Sequence, residues 1–363
     1  MRDDPYSPGA GPRGGEGGAP VVLAVATATP PHRLPQAETR AFARRFFARD
    51  FPAIERLLPA FDNTGILERQ LASPLEWFDA PHGFPEKNAV YRDCCLEIST
   101  RAAIAAMQRA GISPDEVAGL VFVSTTGIST PSLDSFLVQR LDLPRSAVRL
   151  PIWGLGCAGG AAGLARAADL VRALGRPILL ITAEVCTATF MHGDRSKSNL
   201  IATALFGDGA AAAVLAPDGV GPRLLASHSH LIDHSDDVMG WTLEPAGLRV
   251  RFSHSIPEVV RQTMPAFWPA AAAAAGLRAQ DIEHLVVHPG GTRVLAAYEE
   301  VFGVDQDKLS LAREVLRDHG NMSSPTLLFV LERFMASTPP SGAAGLLLGL
   351  GPGFAAEGVV FRW

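Results

Sequence analysis

The feature that most limits what this chain can fold into is a series of apolar, strand-like runs recurring along nearly its whole length. The clearest are 21–26, 119–124, 178–183, 210–215, 284–288, 345–349 and 358–362. Amphipathic or alanine-rich helical stretches lie between them, over 96–110, 132–141, 158–174, 256–275, 292–302 and 324–336. This alternation predicts a layered α/β fold. With 363 residues, 47% of them hydrophobic, the chain can bury an extensive core as one large unit or two fused halves. The segment Ala216-Pro217-Asp218-Gly219-Val220-Gly221-Pro222 reads as a linker, dividing the chain into halves over 21–218 and 219–363. Residues 1–20, rich in Gly, Pro and charge, cannot offset their ordering entropy by burial and are expected to form a disordered tail.

Cys157 stands in Gly-Leu-Gly-Cys-Ala-Gly-Gly, after the apolar run 147–153 and before the helical stretch 158–174. A strand-to-helix turn exposes its side chain at a helix N-terminus, where free backbone N–H groups and the macrodipole favour a thiolate. Gly156, Ala158, Gly159 and Gly160 are small enough to leave room for an acyl group beside the sulfur. Two further segments supply partners. His288, in Val286-Val287-His288-Pro289-Gly290-Gly291, ends an apolar run at a glycine-rich turn, and Asn321 lies in a small-residue loop, Asn321-Met322-Ser323-Ser324-Pro325, ahead of a helix. A histidine exchanges protons with a thiol, and an asparagine amide donates without titrating. Together the three make an acyl-transfer site.

In this order and context the segments resemble the type III polyketide synthases, the chalcone-synthase-like branch of the thiolase superfamily. Phe206-Gly207-Asp208-Gly209 and Gly349-Leu350-Gly351-Pro352-Gly353 match as well, and the resemblance runs from about Val21 to Trp363. It implies a thiolase-like fold of two similar halves stacked in five layers, helix, sheet, helix, sheet, helix, and it implies a homodimer. It also implies an enzyme that loads an acyl-CoA starter on Cys157, decarboxylates malonyl-CoA and condenses the two, with no cofactor beyond the coenzyme A thioesters. His288 and Asn321 take the role of oxyanion donors and Phe206 that of a gating aromatic. Thr125, Thr189, Gly240, Val250, Ser323 and Leu350 fall at positions lining the reaction chamber. Gly290, Gly291 and Arg293 border the pantetheine tunnel, with Arg293 available to a phosphate. Asp208 reads as a turn and cap residue.

Departures from the plant pattern shape the expected substrate. The segment after Cys157 is one residue shorter, Leu350 replaces a phenylalanine, Val250 replaces another, and Thr130 stands where plant enzymes have a methionine. The segments 124–134 and 194–200 instead look like bacterial members that make alkylresorcinols and alkylpyrones. A medium- or long-chain fatty acyl starter is therefore expected, with ring closure to a resorcinol or a pyrone.

Other classes fit less well. Ketoacyl-ACP synthase III and hydroxymethylglutaryl-CoA synthase share the fold, yet the former usually shows His-Gln-Ala-Asn where this chain has His-Pro-Gly-Gly. A papain-like hydrolase would carry its cysteine near the N-terminus within its own signature, which is absent. A non-catalytic scaffold gives no reason for three reactive residues to remain. A net charge of −5 with scattered Lys and Arg offers no field for nucleic acid. The four cysteines have neither metal-ligand spacing nor a disulfide framework, which points to a reducing compartment. The His228, His230, His234 and Asp233–Asp237 cluster reads as a solvated loop and not a metal site. With no secretory stretch and no run long enough to span a bilayer, a cytoplasmic location is expected.

Overall fold

The computed structural model describes residues 18–48, 50–51, 54–253 and 255–363. The expected tail lies, up to residue 17, outside them. The strands are β1 (Val21–Ala28), β2 (His32–Pro35), β3 (Glu68–Leu71), β4 (Gly119–Val123), β5 (Val148–Ile152), β6 (Ile178–Val185), β7 (Asp208–Ala216), β8 (Arg223–Leu231), β9 (Met239–Glu244), β10 (Gly247–Phe252), β11 (Ile282–Val287), β12 (Ala344–Gly351) and β13 (Ala355–Arg362). The helices are α1 (Gln36–Phe47), α2 (Pro59–Asp62), α3 (Phe84–Ala110), α4 (Leu133–Arg140), α5 (Gly159–Leu174), α6 (Lys197–Leu205), α7 (Ile256–Ala274), α8 (Thr292–Phe302), α9 (Ser310–His319) and α10 (Ser324–Ala336).

The main sheet runs β11-β12-β13-β8-β1-β7-β6-β4-β5. Its two parts meet where β1 and β8 pair at Val21 and Arg223. Helix α3 packs on β1, β6 and β7, and α4 on β4 and β5, covering the outer face of one part. Helix α7 covers β8 and β13 on the outer face of the other, with α8 against it. Between the parts lie α5 and α10, each touching strands of both. The result is five layers.

Residue choice explains the stacking. Along β4, Val121 and Val123 face the central helices while Leu120 and Phe122 face α3 and α4, so both faces are apolar. The same division holds in β6 and β7, whose residues are all buried. Such strands lack an alternating pattern because neither face meets water. Helix α5 is buried almost all round by Gly159, Gly160, Ala161, Ala162, Gly163 and Ala165, small residues that let two sheets close on one helix.

The structure departs from the sequence reading in several elements. Helix α3 begins at Phe84, not Leu96, and its early turns turn Lys87, Tyr91 and Cys95 inward at i, i+4 spacing. The first of them is a lysine, which hides an inward face from a hydrophobic pattern. Helices α1, α6 and α9 and the pair β9–β10 were not expected. His228 and His230 lie on strand β8, paired to β13, and not in a loop. Among the described residues no group of His, Cys, Asp and Glu could hold a metal ion, and no helix is long and apolar enough to cross a membrane.

Candidate active site

Cys157 sits in a single 3₁₀ turn, Gly156–Ala158, between edge strand β5 and α5. Gly156 has φ +47°, and a Cβ there would lie 2.8 Å from Pro352 of the Gly-Pro-Gly loop. A Cβ on Gly160 would lie 2.6 Å from the Ser324 carbonyl oxygen at the start of α10. The glycines around Cys157 therefore do not make room for an acyl group. They let the loops carrying Pro352 and Ser324 close on the nucleophile's turn.

That approach brings the 321–324 segment to the sulfur. Cys157 Sγ lies 3.8 Å from Asn321 Oδ1 and 3.7 Å from Ser323 Oγ. Asn321 Oδ1 accepts from Ser323 N at 2.8 Å, and its Nδ2 donates to Gly290 O at 3.3 Å. These two bonds define which way the amide faces, leaving one Nδ2 hydrogen for another acceptor. Ser323 holds φ +60°, a strained conformation for a residue with a side chain, at the point where the chain turns past the sulfur. His288 follows β11 and is fixed by its backbone N–H to Leu348 O at 2.8 Å. Its ring is buried, and neither ring nitrogen has a hydrogen-bond partner among the described residues.

Cys157, His288 and Asn321 line one cavity of roughly 1350 Å³ that opens to solvent. Gly290, Gly291, Arg293 and Leu350 border it too, with Arg293 exposed on the first turn of α8. A second cavity of about 500 Å³ lies beyond Phe206, walled by Leu34, Phe42, Phe78, Phe190 and Val250 and including Thr189. Phe252 faces the first cavity and Phe206 the second, and their rings are 5.4 Å apart. Thr125 Oγ1 accepts from Gly156 N at 3.2 Å and so braces the nucleophile's turn. Gly240 lies on β9 opposite Arg251 and lines neither cavity.

Burial dominates the protonation of the pair. It pushes the Cys157 thiol up to about 12, against the smaller opposing effect of its hydrogen-bond contacts with Ser323 and Asn321. It pushes His288 down to about 3. An isolated charge on either group is therefore disfavoured by desolvation. Moving one proton from Sγ to the imidazole creates an ion pair of no net charge, the route to a nucleophile that avoids a lone buried charge.

The model of the chalcone and stilbene synthase N-terminal domain matches residues 79–219, and that of the C-terminal domain matches 223–363. A putative chalcone synthase of Bacillus subtilis (strain 168) is 38% identical, with 94% of this chain and 98% of that protein covered. The chain belongs to the chalcone and stilbene synthase family, the type III polyketide synthases. The 1,3,6,8-tetrahydroxynaphthalene synthase of Streptomyces peucetius subsp. caesius is 36% identical over 94% of this chain and 93% of its own. The crystal structure of the corresponding synthase from Streptomyces coelicolor A3(2) superposes with TM-score 0.91 at 29% identity, covering 94% of this chain and 99% of that one. As a type III polyketide synthase with the thiolase-like fold, the chain is an acyltransferase-type condensing enzyme working on coenzyme A thioesters.

Two features of this type III polyketide synthase site were not read from the sequence. Glu184, at the end of β6, is fully buried and accepts from Thr125 N (2.8 Å), Thr126 N (3.0 Å), Thr126 Oγ1 (2.8 Å) and Ser324 Oγ (2.9 Å). It ties the threonines beside the nucleophile's turn to the start of α10, and burial raises it to about 7. A charged residue ending an otherwise apolar run was the available signal. Asp208 is likewise a buried anchor and not a cap, accepting from Ala72 N and Thr187 N at 2.8 Å each.

Proposed function

We propose that this enzyme loads a medium- or long-chain fatty acyl group from coenzyme A onto Cys157, extends it with malonyl-CoA and cyclises the product to an alkylresorcinol or alkylpyrone. The observation that carries the reading is the apolar cavity beyond Phe206, whose phenylalanine, leucine and valine walls suit an alkyl chain. Val250 adds space where a larger side chain would fill it.

In this reading Cys157 Sγ gives its proton to His288 and attacks the starter thioester, and coenzyme A leaves as the thiol. Malonyl-CoA then loses carbon dioxide, its thioester oxygen taking up negative charge beside His288 and the free Nδ2 hydrogen of Asn321. The resulting carbanion attacks the Cys157 thioester and frees the sulfur. Phe206 gates passage between the cavities and disfavours the malonyl carboxylate by desolvation. Thr189, Val250, Ser323 and Leu350 shape the chamber and Thr125 braces the nucleophile's turn, while Gly290, Gly291 and Arg293 serve the coenzyme A tunnel. The halves over 21–218 and 219–363 act as two thiolase-like units, the second beginning in the turn between β7 and β8.

A homodimer is part of the same proposal. Edge strand β5 carries an exposed Val148, followed by Trp153 at 57% exposure, with Ile128 also exposed and close enough that Trp153 Nε1 donates to Gly127 O. This apolar edge fits a second copy of the chain, and a cytoplasmic location belongs to the same proposal.

The test is incubation with malonyl-CoA and acyl-CoA starters from acetyl to stearoyl, beside Cys157→Ala, with products identified by mass spectrometry. Alkyl-bearing resorcinols or pyrones that depend on both starter and Cys157 are expected. Products assembled from malonyl-CoA alone, without an alkyl arm, would sink the fatty acyl reading and favour chemistry like that named for the tetrahydroxynaphthalene synthases.

A further inference from the structure

Lys87 is a buried cation without a counter-ion. It lies on α3 at 4% exposure, and its Nζ has one hydrogen-bond acceptor among the described residues, Phe190 O at 3.1 Å. No carboxylate among them lies within ion-pairing distance of it. Leaving an ammonium desolvated and unpaired is expensive, and lysines are almost never fully buried without a partner. Gly247, at φ +132°, accommodates it, since a Cβ there would come within 2.8 Å of Nζ.

Lys87 borders a separate small cavity of about 190 Å³ with Thr126, Thr189 and Leu248. Two contacts locate that cavity. Thr189 also lines the apolar cavity, so the two adjoin. Thr126 follows Thr125, whose hydroxyl holds the nucleophile's turn. The small cavity thus lies beside both the sulfur's support and the apolar chamber, too small for an alkyl chain and lined by a donor with two unused hydrogens.

We propose that Lys87 is a substrate-binding and specificity-determining residue, its ammonium donating to a carbonyl or enolate oxygen of the growing β-keto chain while the alkyl part occupies the apolar cavity. The proposal rests on the reading of the enzyme as one that extends an acyl starter. A 1,3-dicarbonyl chain enolises readily, and a cation at low local dielectric stabilises the enolate oxygen far more than one in water. Burial lowers the Lys87 amine to about 8, which leaves it mostly protonated at neutral pH. Holding one oxygen selects which ketide carbons can meet, and so bears on extension number and mode of ring closure.

The test compares wild type, Lys87→Met, Lys87→Gln and Lys87→Arg, using decanoyl-CoA and malonyl-CoA. Gln keeps a donor for Phe190 O and removes the charge, so it decides the matter if Met does not fold. Starter loading, read by intact mass, and release of carbon dioxide from malonyl-CoA should stay within about twofold of wild type. Full-length cyclised product should fall about tenfold, the loss of one charged hydrogen bond, with shorter shunt pyrones in its place and partial recovery in Lys87→Arg. An unchanged product distribution in a folded Gln variant overturns the proposal. So does a parallel loss of loading, decarboxylation and thermal stability, which is the signature of a purely structural lysine. If wild type makes no polyketide from any starter, the reading of the chain as a starter-extending enzyme fails first and takes this proposal with it.

Discussion

The backbones of Phe206 and Asn321 are joined: Gly207 N donates to Asn321 O at 3.0 Å and Asn321 N donates to Leu205 O at 2.8 Å, forming a parallel bridge between the two residues. The backbones that carry the aromatic facing the apolar cavity and the amide beside the sulfur are therefore held in fixed register by two hydrogen bonds.

Asn321→Ala keeps this backbone bridge and removes the amide alone. Because the proposed role of Nδ2 is to meet charge that develops only during decarboxylation, malonyl-CoA decarboxylation should fall about 100-fold, while acylation of Cys157 by the starter falls much less. Separate measurement of carbon dioxide release and of acyl-enzyme by mass spectrometry checks this. Equal losses in both steps would mean that the amide chiefly orients the sulfur.

The opposed shifts of Cys157 and His288 lead to a pH test. With the imidazole present, the thiol proton has an acceptor within the same cavity and the ion pair is reached without net charge. In His288→Gln that acceptor is gone, and nothing takes the proton of a thiol that burial holds well above its ordinary range. Alkylation of Cys157 by iodoacetamide should then rise about tenfold per pH unit from 7 to 10, the behaviour of a thiolate fraction far below its pKa. Wild type should show a flatter profile. Identical profiles would exclude His288 as the proton acceptor.

Much of this site was legible because its chemistry sits at element ends. Cys157, His288 and Asn321 each interrupt an apolar or small-residue stretch with a reactive side chain, the first two just after β5 and β11 and the third just ahead of α10. What the sequence concealed depends on contacts between distant segments. Glu184 looks like the end of a strand until the donors of Thr125, Thr126 and Ser324 converge on it. The glycines near Cys157 read as space until Pro352 and the Ser324 carbonyl occupy it. Lys87 was hidden because a polar residue on an inward helical face breaks the pattern used to find such faces.

The closeness of α5 to α10 makes Gly160 critical. Gly160→Ala would set a methyl 2.6 Å from the Ser324 carbonyl oxygen and 3.1 Å from Leu327 Cβ. Neither neighbour is a flexible side-chain end, so the helices must part, at a cost of about 1–3 kcal/mol for overpacking. Gly163→Ala, which meets Leu180 Cδ1 at 2.8 Å, presses on the end of a side chain and should be milder. Melting temperatures of the two variants, with Cys157 alkylation rates, test the ranking. A Gly160→Ala protein as stable and as reactive as wild type would contradict the packing argument.

Glu184 offers a prediction in which stability and pH are linked. Its carboxyl is raised from its ordinary 4.5 to about 7 because burial outweighs the hydrogen bonds from Thr125, Thr126 and Ser324. The folded protein therefore holds this proton more tightly than the unfolded chain. Its stabilising contribution is complete below about pH 4.5 and is lost as pH rises through 7, at roughly 1.4 kcal/mol per unit where the two states differ by one proton. Asp208, raised to about 6, adds a loss of the same sign at lower pH, and His288 acts oppositely, its folded form resisting protonation. These are common to wild type and Glu184→Gln, so the difference between the two proteins isolates Glu184. At pH 5 the protonated carboxyl has one O–H, which Ser324 Oγ can accept, whereas the amide must place two N–H hydrogens among the same donors, so the variant should be less stable there by about 1–3 kcal/mol. As pH rises from 5 to 7 wild type loses the proton-linked contribution and the variant does not, so the gap between their melting temperatures should narrow, then hold constant above about 7.5. A gap independent of pH would show that the Glu184 carboxyl is already ionised below pH 5, held by its four donors in spite of its burial.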